Sequence, residues 1–208
     1  MLRLAFHLGC FLLVAVLAQF GVAADVAQLS ATLKTGSTAE RIAAADALAD
    51  LGPVAQSASA NLVAALSANE SDLRWRAARA LGVIGAVDAT PNLRKAAGDA
   101  DVQVRAQAIF ALGRLKAGDE ESLKAIVAHL TDADVQVRRA SVRALSLIKA
   151  DRKVTLPLVV KLLEDADPQV AMRALHAIAE GGAESIPALN AALQNKERSE
   201  EHTSELQS

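Results

Sequence analysis

Tyrosine is absent from this chain, and tryptophan and cysteine occur once each. With aromatics at 2%, a globular core built on large rings is excluded, and packing must rest on aliphatic and small side chains. The one cysteine, Cys10, falls in a leader expected to be removed. The mature chain then has no disulfide framework and no thiolate metal site. An excess of one charge is also lacking. The 22 Lys and Arg residues against 24 Asp and Glu give a formal charge of −2, so bulk electrostatics offer no pull toward nucleic acid or an acidic substrate. Histidine is scarce, and only His129 and His176 fall inside the patterned region. They belong to different predicted helices with no paired carboxylate at ligand spacing, so no metal site is expected. A phosphate-cradling loop is missing too, because Gly181-Gly182 follows a predicted helix rather than a strand. Nothing here composes a catalytic site, and no cofactor is expected.

The two ends do not belong to the fold. Arg3, the apolar run Leu8 to Ala18, and the small residues Val22-Ala23-Ala24 have the form of a signal peptide covering 1–24, cleaved before Asp25. The alternative is an uncleaved anchor, but the run is short for a span of about 20 residues. The expectation is an exported protein, periplasmic or secreted, with no membrane span after cleavage. Cys10 precedes most of the apolar run and is a poor lipidation site. At the other end, residues 198–208 read RSEEHTSELQS, which resembles the translation of a sequencing adapter. That resemblance implies a natural protein continuing past Glu197 and a disordered tail here. The folded region is expected to be 25–197.

What is present is a period. DVQVRAQAIFALGRL begins at Asp101, DVQVRRASVRALSLI at Asp134 and DPQVAMRALHAIAEG at Asp167, each 33 residues after the last. A fixed period near 33 denotes stacked repeats. Within the unit, Val104, Ala108, Ala111, Leu112 and Leu115 mark one apolar face of a helix. The same columns hold Leu73, Ala77, Ala80, Leu81 and Ile84, then Val137, Ser141, Ala144, Leu145 and Ile148. Glu40 replaces the valine in the first repeat, a polar departure suited to an end with no neighbour. A second helix precedes each of these. Pro91, Pro157 and Pro187 are expected in first helical turns. Gly52, Gly85, Gly118 and Gly181-Gly182 are expected to end the second helices in left-handed conformations. Asp residues in the D-x-D turns are placed to cap the helices that follow.

A helix ending in Leu, then D-x-D-x-x-V-R-x-x-A-x-x-A-L, resembles the HEAT repeat, and closely the HEAT-like repeat named after phycobilisome lyases. The resemblance covers 25–195, as five repeats and the first helix of a sixth. It implies an all-α fold, an α-solenoid of stacked antiparallel helix pairs. Ankyrin repeats share the period but need a T-P-L-H-type turn, and tetratricopeptide repeats lean on Tyr and Trp. The family commonly bonds its turn Asp to the Arg after Val as a ladder between repeats. The matching positions are Asp99, Asp132 and Asp165 with Arg41, Arg74, Arg105 and Arg138; Ala171 breaks the series. Some HEAT-like proteins hydroxylate a modified lysine with iron-binding His-Glu pairs, but this chain has no His-Glu dipeptide. The lyase resemblance says little about activity, because the repeat is a scaffold with many uses.

The resemblance also implies that second helices line a concave side. Off their apolar faces run three columns: Asp46, Arg79, Phe110, Arg143 and His176; Ala43, Arg76, Gln107, Ala140 and Arg173; Ile42, Trp75, Ala106, Arg139 and Met172. The candidate partner-binding residues are therefore Trp75, Arg76, Arg79, Phe110, Arg139, Arg143, Arg173 and His176. Arg and aromatic side chains are the types that dominate binding hot spots. The expected function is a scaffold binding a protein or peptide partner, not nucleic acid and not as an enzyme. The other readings are an accessory domain of a larger enzyme, or a lyase-like subunit acting on a chromoprotein. A solvated face is the plain alternative for the columns, and Arg139→Ala is expected to leave stability unchanged.

Overall fold

The computed structural model describes residues 23, 25–148, 152–187 and 189–190. The expected leader (residue 23 apart), the 198–208 tail and most of the sixth repeat lie outside the described residues. The described residues include ten α-helices, and residues 186–187 and 189–190 are helical as well. α1 covers 25–35. It is followed by α2 Thr38–Leu51, α3 Ser59–Ala65, α4 Ser71–Ile84, α5 Thr90–Ala96 and α6 Val102–Arg114. Then come α7 Glu120–Ala128, α8 Val135–Ile148, α9 Arg152–Lys161 and α10 Pro168–Ala179. Short 3-10 segments extend several of the first helices, as at Gly52–Ala58 before α3 and His129–Thr131 after α7.

The helix starts follow from the acidic and hydroxyl residues placed before them. Asp101 accepts from the Gln103 and Val104 amides, Asp134 from Gln136, and Asp167 from Gln169 and Val170. Each satisfies amides that have no intrahelical acceptor and sets a negative charge at the positive end of the helix. Ser37 and Glu40 form a reciprocal capping box on α2. Glu40, the residue in the valine column of the first repeat, is thus exposed and structural.

Three expected punctuation marks need correction or refinement. Gly52 and Gly85 do take positive φ, 62° and 77°, at the ends of α2 and α4. After α6, however, the positive-φ residue is Lys116, at 53°, and not Gly118. The turn closes when the Ala117 amide reaches the Leu112 carbonyl, which fixes the left-handed residue two positions before the glycine. At the last repeat Gly182 rather than Gly181 takes positive φ. Pro91 lies in the first turn of α5, as expected. Pro157 lies inside α9, because that helix begins at Arg152, five residues earlier; its ring leaves one carbonyl of the preceding turn without an intrahelical donor.

The helices form two layers. Second helices α2, α4, α6, α8 and α10 pack side by side in sequence order, and α3, α5, α7 and α9 each pack on the second helix of their own repeat. The core is the seam between the layers. Leu48, Leu81, Leu112 and Leu145 occupy one column and are all buried, as are Leu73, Val104, Val137 and Val170 in another. Buried Ser141, the polar member of its column, donates to the Val137 carbonyl at 2.9 Å, so its hydroxyl is paired. Small residues let neighbouring second helices touch. A Cβ built on Gly82 would lie 2.8 Å from the Ala111 Cα, and one on Gly113 would lie 2.6 Å from the Ala144 Cα.

Each D-x-D turn is wired to the repeat before it. The Arg74 guanidinium forks onto Asp99 with two 2.8 Å bonds, Arg105 onto Asp132 with two of 3.2 Å, and Arg138 onto Asp165 at 2.7 and 2.8 Å. The third guanidinium nitrogen bonds carbonyls of the arginine's own turn, as Arg138 does with Asp132 and Ala133. These are charge-assisted, bidentate contacts of the strong kind. The Arg74 and Arg138 bonds hold the Asp99 and Asp165 carboxyls below the usual carboxylate range. For Asp132 burial is the largest influence and pushes upward, but Arg105 and the Asp134 amide outweigh it and the net shift is down. Arg41 is not a rung. The equivalent turn position ahead is Ala68, which offers no carboxylate, and Arg41 Nε donates instead to the Leu33 carbonyl at 2.9 Å.

Candidate binding groove

The second helices carry their apolar columns inward, so the columns a turn away face outward on the opposite side of that layer. Side chains of α4, α6, α8 and α10 together line a groove of about 410 Å³ there. Arg79, Gln107, Phe110, Arg139, Arg143 and Arg173 are among its walls. A second hollow of about 520 Å³ adjoins it between α8 and α10, with Arg143, Met172, Arg173 and His176. Repeat spacing thus brings Arg79, Phe110, Arg139, Arg143, Arg173 and His176 to one continuous surface. Trp75 and Arg76 stand at its α4 edge, outside both hollows.

The electrostatics divide this set. Arg76 donates to Asp46 at 2.9 Å and lies 3.4 Å from Asp72, while its guanidinium stacks 4.0 Å from the Trp75 ring centroid. The Trp75 indole N–H donates to Asp72 at 3.0 Å. Arg79 bonds Asp46 at 3.3 Å and lies 3.7 Å from Asp50. Arg139 is not a free exposed cation, contrary to expectation. It forks onto Asp167, with Nε at 3.1 Å from Oδ1, and the same carboxylate caps α10. The Arg139 bonds are the first cause of Asp167 lying below the usual carboxylate range. His176 sits 3.4 Å from Glu180 on the exposed side of α10, so this histidine does have a carboxylate one helical turn on, contrary to the sequence expectation, although no third ligand joins them among the described residues.

Arg143 and Arg173 differ from all of these. Both are exposed, and neither has a carboxylate partner among the described residues. Arg143 lies 4.3 Å from the Phe110 ring centroid, a cation–π contact that holds its guanidinium over the groove while leaving its N–H donors available. Met172 is 69% exposed beside them. Sequence columns identified the surface but not which of its charges are spent, since the acids that quench Arg76, Arg79 and Arg139 lie about one repeat away. Arg114 escaped the columns altogether; it lines the groove while its Nε donates to the Gly82 carbonyl at 3.2 Å.

His129 is half-buried, with Nδ1 2.7 Å from the Ala125 carbonyl, in keeping with a packed helix residue. Among the described residues no group of three His, Cys, Asp or Glu side chains is placed to hold a metal ion. No helix of the described residues is long and apolar enough to cross a membrane.

The family model for HEAT repeats matches residues 26–110, 59–146, 90–179 and 124–206. The chain belongs to the HEAT-repeat family. Comparison with curated proteins finds no match. Solved structures share the HEAT-repeat chain's solenoid. An engineered protein superposes with a TM-score of 0.64 at 25% identity, covering 81% of this chain and 85% of that one. The complex of CpcE and CpcF of phycocyanin lyase from Nostoc sp. PCC7120 gives 0.62 at 28% identity, over 72% of this chain and 62% of that one. A computationally designed armadillo repeat protein for modular peptide recognition gives 0.60 at 25% identity, over 79% and 87%. The all-α solenoid and its likeness to the lyase-type repeat therefore stand, on a fold suited to protein binding.

Proposed function

We propose that this HEAT-repeat solenoid is an exported scaffold that binds an extended segment of a partner protein along the second-helix groove. The observation that carries the reading is the pair Arg143 and Arg173, exposed, without a carboxylate partner among the described residues, and lining hollows with Phe110 and Met172. Unpaired guanidiniums beside apolar surface give a partner both charge-assisted bonds and desolvated contact. Such charges chiefly raise the rate and selectivity of encounter. The designed peptide-recognition relative supports the mode, and the signal-peptide form of 1–24 supports export. The chain itself acts as a binding module rather than as an enzyme. Likeness to a phycocyanin lyase supports a second reading, a lyase-like subunit acting on a chromoprotein, for which chromophore transfer in vitro is the test.

The experiment is site-specific photo-crosslinking in a cell extract containing exported proteins. A crosslinker at Gln107, on the groove wall, is expected to capture a discrete partner, and one at exposed Asn92 on α5 is not. Arg143→Glu/Arg173→Glu is expected to abolish the Gln107 adduct. Capture from Asn92 alone, or a Gln107 adduct indifferent to the double substitution, would place the partner elsewhere.

A further inference from the structure

The groove face changes sign along its length. In α2 the outward positions carry Asp46 and Asp50; toward α8 and α10 they carry Arg143 and Arg173. The arginines repeat by column, Arg79 matching Arg143 and Arg76 matching Arg173, yet their circumstances are opposite. One Asp46 carboxylate bridges both α4 arginines, with Oδ2 2.9 Å from Arg76 Nε and Oδ1 3.3 Å from Arg79 Nη1. The α8 and α10 arginines have no such carboxylate among the described residues.

We propose that Asp46 is an internal ligand of this surface. It occupies Arg76 and Arg79 in cis as an acidic segment of the partner occupies Arg143 and Arg173, and so ends the partner's footprint at α6. The inference rests on the groove reading above and deepens it by naming the partner's chemistry, a carboxylate-bearing extended segment, and the residue that fixes its register. Helices spaced by about 10 Å and a strand rise of about 3.3 Å per residue set the lengths. Roughly six residues reach from α6 to α10, and roughly ten are needed to reach α4.

Fluorescein-labelled hexaglutamate and decaglutamate, titrated by anisotropy into the whole chain at low salt, provide the test. Wild type is expected to bind the two peptides within about twofold of each other, because the longer one gains no further free arginine. Asp46→Asn is expected to tighten decaglutamate about five- to tenfold, the scale of one or two charge contacts, with hexaglutamate changed by less than about twofold. Asp88→Asn makes the same charge change at an exposed connector position and is expected to alter neither. Arg76→Gln/Arg79→Gln is expected to be silent in the wild-type background and to cancel the gain in Asp46→Asn. Equal tightening of both peptides, tightening matched by Asp88→Asn, or no tightening at all would overturn the role of Asp46 while leaving the groove standing. Wild-type binding that survives Arg143→Glu/Arg173→Glu would overturn the groove reading and the Asp46 proposal with it.

Discussion

Gly113→Ala is the sharpest probe of the stack. Alanine is the better helix former, and the exchange alone would stabilise α6 by up to about 1 kcal/mol. Here the new Cβ would stand 2.6 Å from the Ala144 Cα and 2.8 Å from its Cβ. Carbon atoms in contact rest near 3.5–4.0 Å, so α6 and α8 must part by about 1 Å. The obstacle is backbone and cannot swing aside. A gap of that size forfeits a quarter to a half of each contact's attraction along the seam, and buried Ile109, Leu112, Val142 and Leu145 belong to these two helices. Overpacking of this kind costs about 1–3 kcal/mol. The net expectation is a loss of about 1–2 kcal/mol, or a melting temperature lower by roughly 2–8 °C for a chain of this size. Circular dichroism at 222 nm during heating reads it. Gly98→Ala is the control, because its Cβ would meet only the Lys95 carbonyl at an ordinary 3.5 Å. If Gly113→Ala melts at or above wild type, α6 and α8 do not cross at Gly113 and Ala144, and the register of the stack is wrong.

Asp165→Ala removes a rung whose side chains are 7% and 16% exposed, and is expected to cost about 2–3 kcal/mol at pH 7 by urea unfolding. Because the folded Asp165 pKa is lowered, its contribution is present above the unfolded value of about 3.9 and fades as pH falls through the folded one; the gap between variant and wild type is therefore expected to narrow below about pH 4. Lys116→Gly relieves a left-handed side-chain residue and is expected to stabilise by about 0.5–1 kcal/mol in the same assay; a loss would show that Lys116 makes a contact worth more than its strain. Arg139→Ala is expected to lower the melting temperature and Arg143→Ala to leave it in place, since only the former strands a capping carboxylate; equal effects would contradict the division of the groove charges.

Periodicity made most of this fold legible. A 33-residue step aligns Leu112 with Leu145 and Asp101 with Asp134, and whatever recurs in register must meet the same neighbours in each layer. Core columns, capping aspartates and three ladder rungs all follow from that. The features that escaped are those belonging to single repeats. Arg41 lacks its rung because one residue in the turn ahead is alanine. Lys116 takes the left-handed turn because its loop closes ahead of the glycine. Pro157 sits inside a helix because α9 starts upstream of it. The groove was visible as a surface, yet its charge state was not. Whether an arginine is free depends on an acid a repeat away, and Asp46 and Asp167 come within reach only when helices are stacked in three dimensions.

The central claim, that a partner lies in the second-helix groove, is tested most directly by hydroxyl-radical footprinting with and without decaglutamate. Met172 is 69% exposed in the hollow between α8 and α10, whereas Val54 and Val87, 64% and 62% exposed, lie on 3-10 segments that line neither hollow. Binding in the groove predicts that oxidation of Phe110 and Met172 slows severalfold while Val54 and Val87 react as before. Protection of Val54 and Val87 with Phe110 and Met172 unchanged would contradict it.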